Sequence, residues 1–245
     1  MTTTGTSTGA STAATPAAAT GGRALAVSIA AAVSTIVAVL GAAVAVFFNP
    51  AWVAFEQGRT EVDLWTGWTW DRVHAVTGSV VAEVFLGPGT FSQRLDDGTP
   101  VFRPAEAVHM TDVRGVVLGF ALVVAIAIAA LVLARLLDRR GVAFWRGVAG
   151  GATVLAVGIV ATGIWLGLFF DAAFELFHRL FFAAGSYTFD PAVDRLVQLF
   201  PERFWMETSI ALAIVGLVAS IALAFVARRR MRAAGAADPA IATEG

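Results

Sequence analysis

Four long stretches of apolar residues divide this chain. Each is close to the ~20 apolar residues that an α-helix needs to cross a bilayer. They cover about residues 24–48, 113–134, 149–170 and 205–227. The pattern predicts an all-α, polytopic membrane protein whose four transmembrane helices form one domain, residues 23–230.

The first apolar stretch has a second interpretation as a cleaved signal peptide, because Ala43-Val44-Ala45 resembles a cleavage site. Its apolar region is longer than the roughly 7–15 residues of a typical signal peptide, which favours a retained helix. Residues 1–22 before it are mainly Thr, Ala, Ser and Gly and carry no charged side chain. That composition predicts a disordered cytoplasmic tail, and a second such tail is expected over residues 231–245.

Two polar segments separate the spans, residues 49–112 and 171–204. Within the first segment, valines recur at helical spacing over residues 73–85 and predict a short helix, which the Gly- and Pro-rich residues 86–89 end. Residues 95–99, Leu-Asp-Asp-Gly-Thr, indicate a turn between two short extended pieces.

Positive charge is distributed unevenly along the chain. It gathers after the second span (Arg135, Arg139, Arg140, Arg146) and after the fourth (Arg228, Arg229, Arg230, Arg232). The positive-inside rule puts both clusters in the cytoplasm, and with four spans both termini are then cytoplasmic. The two polar segments become extracytoplasmic loops, so we expect a multi-pass cell-membrane protein whose active face is extracytoplasmic.

The amino-acid composition excludes several classes of function and reaction mechanism. The residues are 58% hydrophobic with a mean hydropathy of +0.76, and the net charge of −1 gives no reason to expect nucleic acid. Cysteine is absent and all 17 basic residues are arginine. These absences exclude disulfides, thiolate metal sites and mechanisms that need cysteine or lysine. No Gly-x-Ser-x-Gly motif is present, and nothing marks Ser186 as an activated nucleophile.

His178 follows the third span in a segment with several possible meanings. A helix over residues 171–182, continuing from that span, would carry phenylalanines on one face and charged side chains on another. It could be an interfacial amphipathic helix with His178 at its polar edge. Alternatively, a carboxylate one turn away could orient the imidazole and raise its basicity, and Asp171, two turns away, lies on the same side of the helix. Glu175-x-x-His178 also has the spacing of carboxylate-bridged metal helices, but such sites use two copies and one is present.

His109 and Asp112 lie three residues apart, hence on one face at the start of the second span. Asp112 also suits a helix N-terminus, where the macrodipole favours negative charge. Arg114 could extend toward headgroups, or pair with a phosphate, a carboxylate or a developing oxyanion. The predicted topology brings His109 and His178 to the same membrane face, whereas His74 lies among tryptophans and is predicted to be structural.

Several fixed spacings together resemble one known family. His109-Met110-x-Asp112-Val113-Arg114 is similar to the His-Met-x-Asp-Val-Lys/Arg motif of the lipoprotein intramolecular transacylase family. The family's second set of motifs resembles Phe177-His178-x-Leu180-Phe181-Phe182, Phe189-Asp190-Pro191-x-x-Asp194-x-Leu196 and Leu199-Phe200-Pro201-Glu202-x-Phe204-Trp205. The resemblance covers about residues 24–227, and the order of spans and loops agrees. Where the family usually has Asn, an acidic or Asn residue and then Trp, this chain has Ala184, Gly185 and Tyr187.

The resemblance implies a membrane acyltransferase that moves the sn-2 acyl chain of diacylglyceryl-cysteine to the α-amino group of a bacterial lipoprotein. It implies a catalytic pair, His109 and His178, and the residues named above as their neighbours are candidate supports (Asp112, Arg114, Asp171, Glu175). The expected partners are the lipoprotein substrate and membrane lipid, and neither a cofactor nor a metal is expected. Two alternatives remain: a non-enzymatic envelope protein that binds lipid or a partner, and a metal-dependent membrane hydrolase.

Overall fold

The structure of the protein, a computed structural model, describes residues 16–236. In this range nine α-helices follow one another: α1 (Pro16–Phe47), α2 (Pro50–Arg59), α3 (Val62–Thr66), α4 (Trp70–Phe85), α5 (Pro104–Leu137), α6 (Val142–Leu168), α7 (Phe170–Phe181), α8 (Arg195–Leu199) and α9 (Glu202–Ala236). The same range contains no β-strand, and its one β-bridge joins Arg94 to Pro100. The all-α prediction is therefore confirmed.

Four of these helices, α1, α5, α6 and α9, are long and apolar enough to cross a membrane. They form a bundle in which α6 packs extensively against α9 and α1, while α1 also packs against α5. The four predicted spans are confirmed. All four helices begin before their apolar stretches, and α5 and α9 also end after theirs. Backbone hydrogen bonds propagate a helix into flanking residues whatever their hydropathy.

The boundaries of the expected tails need correction. The helix α1 begins at Pro16, so residues 16–22 are helical, although we expected them to be disordered. The helix α9 continues to Ala236, so residues 231–236 are also helical. The remainder of both expected tails, residues 1–15 and 237–245, lies outside the described residues.

The helices α1 and α6 approach each other through small residues. A Cβ atom at Gly147 would overlap the carbonyl oxygen of Ser28, and one at Gly151 would overlap that of Ala32. This Gly-x-x-x-Gly spacing lets two backbones come close, which is how helices associate in an apolar solvent that gives little hydrophobic driving force.

The remaining short helices and loops form a second layer at one end of the bundle, which we call the cap (residues 49–103 and 169–201). It has an apolar core of its own, built mainly from valines of α4 and phenylalanines of the following loop, and Met110 of α5 enters it. Three of the five valines predicted to mark a helix, Val73, Val80 and Val84, lie in this core. The predicted helix and the turn at residues 95–99 are thus both confirmed.

Two polar side chains are buried where the cap meets the bundle. Gln57 of α2 is fully buried, and its amide donates to the Thr77 hydroxyl and to the Leu199 carbonyl. Glu56, next to it, is 1% exposed and interacts with Glu207 of α9. Because a buried polar group is stable only when it is partnered, the two hydrogen bonds of Gln57 fix how α2 sits against its neighbours.

Candidate active site

His178 lies on α7, a short helix that is separate from the span before it. The helix α6 ends at Leu168, and Phe169 has φ −138° and ψ 47°, outside the helical region. The expectation that residues 171–182 continue the third span is therefore wrong. The break lets α7 leave the direction of α6.

The hydrogen bond of His178 defines its tautomer. Its Nδ1 lies 2.7 Å from the carbonyl oxygen of Phe174, one turn earlier on α7. A carbonyl oxygen can only accept, so Nδ1 carries the proton and donates it. In the neutral ring Nε2 then has the free lone pair.

His109 lies in the second turn of α5, and the two histidines come together. Their ring centroids are 6.1 Å apart with an interplanar angle of 19°. The His109 side chain is 6% exposed and that of His178 is 9% exposed. The Nδ1 atom of His109 is buried and has no hydrogen-bond partner in the described part of the chain.

Aromatic rings surround the histidine pair. Phe182 and Phe189 contact His109, with ring centroids at 4.7 and 5.4 Å. Phe174 and Tyr187 contact His178, at 4.1 and 5.1 Å. The pair therefore lies in a largely apolar pocket of rings contributed by α7 and the loop after it.

Buried carboxylates tie that loop to the start of α5. Glu106 is fully buried and accepts hydrogen bonds from the backbone N–H groups of Arg103, at 2.7 Å, and Leu196, at 2.6 Å. Asp194 forms an ion pair with Arg103 at 2.9 Å and also accepts the backbone N–H of Asp190. These contacts hold residues 190–196 against the turn that precedes His109.

Asp112 is exposed on α5, one turn after His109. Because α5 begins at Pro104, Asp112 lies in the third turn and cannot cap the helix, so the capping interpretation is wrong. Its charge acts on His109 through space only, since Nδ1 of that ring has no hydrogen-bond partner.

Arg114 points to the end of α4. Its Nε donates to the Glu83 carbonyl at 3.3 Å and its Nη2 to the Gly87 carbonyl at 3.0 Å. Thr111, on the same side of α5, donates to the carbonyl of Gly89. The Glu83 carbonyl is one that a helix C-terminus leaves without a partner, whereas the Gly87 and Gly89 carbonyls belong to the turn that follows α4.

The two carboxylates expected beside His178 have other neighbours. Glu175 accepts a hydrogen bond from the Tyr187 hydroxyl at 3.1 Å. Asp171 lies within hydrogen-bonding reach of the Glu202 carboxyl at the start of α9. The imidazole is thus oriented by a backbone carbonyl rather than by Asp171. Across residues 16–236 no three His, Asp or Glu side chains are grouped to hold a metal ion.

The sequence interpretation did not predict the contacts of several residues that shape this pocket. Phe189 belongs to a family motif and Tyr187 stands where the family usually has Trp. Residues 183–188 have no periodicity that would place either ring against the histidines. Glu106 could have been found, since Pro104 at the first helical position and an acidic residue two positions later are a typical helix start.

These observations define an integral membrane protein of four spanning helices, with a buried histidine pair beneath a cap at one end of the bundle. The sequence profile described as "Lipoprotein intramolecular transacylase Lit" matches residues 28–205, well over half of the chain. The chain therefore belongs to the lipoprotein intramolecular transacylase (Lit) family.

Solved structures of a family member share the fold. The membrane-integral transacylase Lit from Bacillus cereus superimposes with a TM-score of 0.74 at 20% identity, over 86% of this chain and 97% of that one. Variants of that protein in which a histidine is replaced by arginine or alanine give TM-scores of 0.72 at 18% identity, over 91% and 89% of this chain and 98% of theirs.

A curated relative of undescribed function is also similar. An uncharacterized protein from Aquifex aeolicus is 29% identical over 133 residues, which is 54% of this chain. The matched region spans 59% of that relative's length.

Proposed function

We propose that this chain is a lipoprotein intramolecular transacylase. It transfers the sn-2 acyl chain of a diacylglyceryl-cysteine to the α-amino group of the same cysteine in a bacterial lipoprotein. The observation that carries the proposal is the histidine pair at 6.1 Å, under the cap of a membrane bundle that belongs to the Lit family. The structural neighbours named as lipoprotein transacylases support it, and they also support a lipoprotein as the partner.

The reaction needs no covalent enzyme intermediate. The α-amino nitrogen attacks the ester carbonyl carbon, a C–N bond forms, and the bond from that carbon to the glycerol oxygen breaks. The amine gives up one proton and the glycerol oxygen takes up one, so charge balances. Because nucleophile and ester belong to one molecule, holding them together supplies much of the rate.

We assign His178 as the general base. Its Nδ1 proton is committed to the Phe174 carbonyl, so Nε2 is the nitrogen that can take the proton from the amine. His109 then delivers a proton to the departing glycerol oxygen. One proton enters the pair at His178 and one leaves it at His109, so the charge of the pair as a whole is unchanged. Each ring regains its starting charge when a proton passes from His178 to His109 before the next turnover.

The four candidate supporting residues have different contacts and therefore different proposed roles. Asp112 acts on the charge of His109 through space. A developing oxyanion was one candidate partner of Arg114, and its contacts with the Glu83 and Gly87 carbonyls support a role in holding the end of α4 in place. Glu175 holds Tyr187, and Asp171 links α7 to α9.

The direction of the bundle follows from its charges. Arg135 and Arg228 lie at the end opposite the cap, among the two arginine clusters. By the positive-inside rule that end is cytoplasmic, and the cap with its histidines faces outward, where mature lipoproteins are anchored. The histidines then meet the substrate at the outer leaflet, next to membrane lipid.

The test is mass spectrometry of a lipoprotein N-terminal peptide from a transacylase-free bacterial host, with and without this gene. We expect the acyl chain to move from glycerol to the α-amine. His178→Ala and His109→Ala should each abolish the shift, whereas His74→Ala, which changes the exposed third histidine, should not.

An unchanged lipoprotein, with the wild-type protein present in the membrane, would contradict the proposal. It would favour a non-enzymatic envelope protein instead. Stoichiometric zinc or iron that is lost with His178→Ala would favour the metal-dependent hydrolase.

A further inference from the structure

The loop after α7 crosses the histidine pair. Three of its rings contact the imidazoles: Phe182 contacts both, Tyr187 contacts His178 and Phe189 contacts His109. We call residues 182–189 the strap. Between its first and second rings lie small residues, Ala-Ala-Gly-Ser, and Gly185 has φ +82°, a conformation that favours glycine.

The strap keeps the histidines closed to a substrate. Both histidines are more than nine-tenths buried, and an ester must lie within hydrogen-bonding distance of them to react. The structure therefore represents a closed site without substrate. A diacylglyceryl group enters when the strap moves aside, and the strap then closes over the bound group.

Both ends of the strap are anchored. At its start the Phe182 backbone N–H donates to the His178 carbonyl at 2.8 Å. After its last residue the Asp190 backbone N–H bonds Asp194, which is buried and paired with Arg103.

Between these ends, Tyr187 is held to α7 by an exposed hydrogen bond from its hydroxyl to Glu175. Water competes for an exposed hydrogen bond, so the part of the strap around Tyr187 is the part that opens.

The phenol is suited to this role. Desolvation, and then the hydrogen bond to Glu175, raise the pKa of Tyr187. The hydroxyl therefore keeps its proton at neutral pH and remains a donor. Tyr187 is also the only tyrosine of the chain.

We propose that Tyr187, latched by Glu175, is a positioning residue that closes the strap over the histidine pair and excludes water, so that the amine rather than water takes the acyl group. This proposal rests on the proposed transacylase function. It goes further in one respect: the hydrogen bond between Tyr187 and Glu175 decides whether the acyl group is transferred to the amine or hydrolysed by water.

The competing reaction is simple to write. If water replaces the amine, its oxygen forms the new bond to the ester carbonyl carbon and the bond to the glycerol oxygen breaks. The glycerol oxygen takes a proton from water, and a free fatty acid leaves. Transfer conserves the mass of the lipoprotein peptide, whereas hydrolysis lowers it by one acyl group.

The experiment measures the ratio of the hydrolysed to the transferred N-terminal peptide, by mass spectrometry, for the full-length protein in the transacylase-free host. Tyr187→Phe keeps the ring and removes the latch, and Glu175→Ala removes the acceptor. Each should raise the ratio at least severalfold. Glu175→Gln keeps an acceptor oxygen and should restore a low ratio, as should Arg72→Gln, which breaks an exposed ion pair elsewhere in the cap.

Each outcome is informative. Transfer with an unchanged ratio in Tyr187→Phe and Glu175→Ala would overturn the latch and leave the transacylase function intact. No transfer by the wild type would instead contradict the proposed function. If Tyr187→Phe were absent from the membrane, Glu175→Ala against Glu175→Gln gives the same comparison without changing the ring.

Discussion

The bundle and the cap are held together by different physical means. In the bundle, α1 and α6 meet through glycines whose missing side chains allow close backbone approach. In the cap, buried polar side chains such as Glu106 and Gln57 bond specific backbone groups of distant segments. The bundle therefore depends on shape and tolerates most apolar exchanges, whereas the cap depends on particular donors and acceptors.

This difference explains where the candidate chemistry lies. The proposed acyl transfer uses two imidazoles held in a fixed relation, and polar contacts fix geometry more sharply than apolar ones. Both histidines lie where cap contacts hold their elements: His109 follows Glu106 by three residues, and His178 lies beneath the strap. The bundle fixes where the two histidines lie relative to the membrane, and the contacts of the cap fix how they lie relative to each other.

The largest effect is expected from Glu106→Ala. It leaves the backbone N–H groups of Arg103 and Leu196 without an acceptor, which should cost about 2–4 kcal/mol of stability. Thermal unfolding in detergent would measure the loss, and acyl transfer should fall with it. Glu106→Gln retains one acceptor oxygen, so its unfolding temperature should lie between those of the wild type and the alanine variant. An alanine variant that unfolds with the wild type would mean that the cap does not depend on this carboxylate.

Gly151→Ala tests the bundle in the same assay. The added methyl group would overlap the Ala32 carbonyl, so α1 and α6 must separate, at a cost of about 1–3 kcal/mol. Gly150→Ala is the matched control, because a Cβ atom there meets nothing within 4 Å. Equal unfolding temperatures for the two variants would show that close backbone approach does not hold the bundle.

The Glu56 carboxyl makes the junction of cap and bundle sensitive to pH. Burial, and then its hydrogen bond with Glu207, raise the pKa of Glu56 from 4.5 to about 7. The folded state therefore holds this proton more tightly than the unfolded state does. The resulting stabilisation is complete below pH 4.5 and is lost as the pH rises through 7.

Glu56→Gln should flatten that dependence, since the amide is neutral at every pH and can donate to Glu207. We expect the unfolding temperature of the wild type to fall more between pH 5 and 8 than that of the variant. The difference should be on the order of 1 kcal/mol, as one pKa unit corresponds to about 1.4 kcal/mol. Exposed Glu61→Gln should follow the wild type, and parallel curves for all three proteins would refute the role of Glu56.

The smallest effect is expected at the contact between α2 and α9. The Trp52 indole donates to the Thr208 hydroxyl at 3.2 Å, and Trp52→Phe removes this bond while keeping a ring. The loss should be about 0.5–1 kcal/mol in thermal unfolding. Thr208→Ser retains the hydroxyl and should leave the unfolding temperature nearly unchanged. If Thr208→Val costs nothing, the hydrogen bond does not contribute.

Hydropathy and charge were enough to predict the four spans, and local spacing was enough for α4 and the turn at residues 95–99. These features depend on residues close in sequence. The meeting of His109 and His178 followed from topology, because spans of alternating direction bring their loops to one end.

The partners of each histidine could not be predicted in the same way. Spacing suggested Asp171 for His178, but the ring uses the Phe174 carbonyl, which every helical residue offers and no sequence pattern marks. Several partners were open for Arg114, and the sequence did not mark the Glu83 and Gly87 carbonyls that it bonds at and after the end of α4. Such contacts depend on tertiary packing that single-sequence patterns do not encode.

The length of α5 determines the depth of His109 relative to the hydrocarbon layer of the membrane. Its 34 residues extend about 50 Å, whereas the hydrocarbon layer is about 30 Å thick. If Arg135 marks one surface of that layer, the opposite surface falls about 20 residues earlier, near Gly115. His109 then lies less than about 10 Å beyond it, level with headgroups and the glycerol esters beneath them. Under the proposed function, this depth places His109 beside the ester linkages of a lipid and away from its acyl tails.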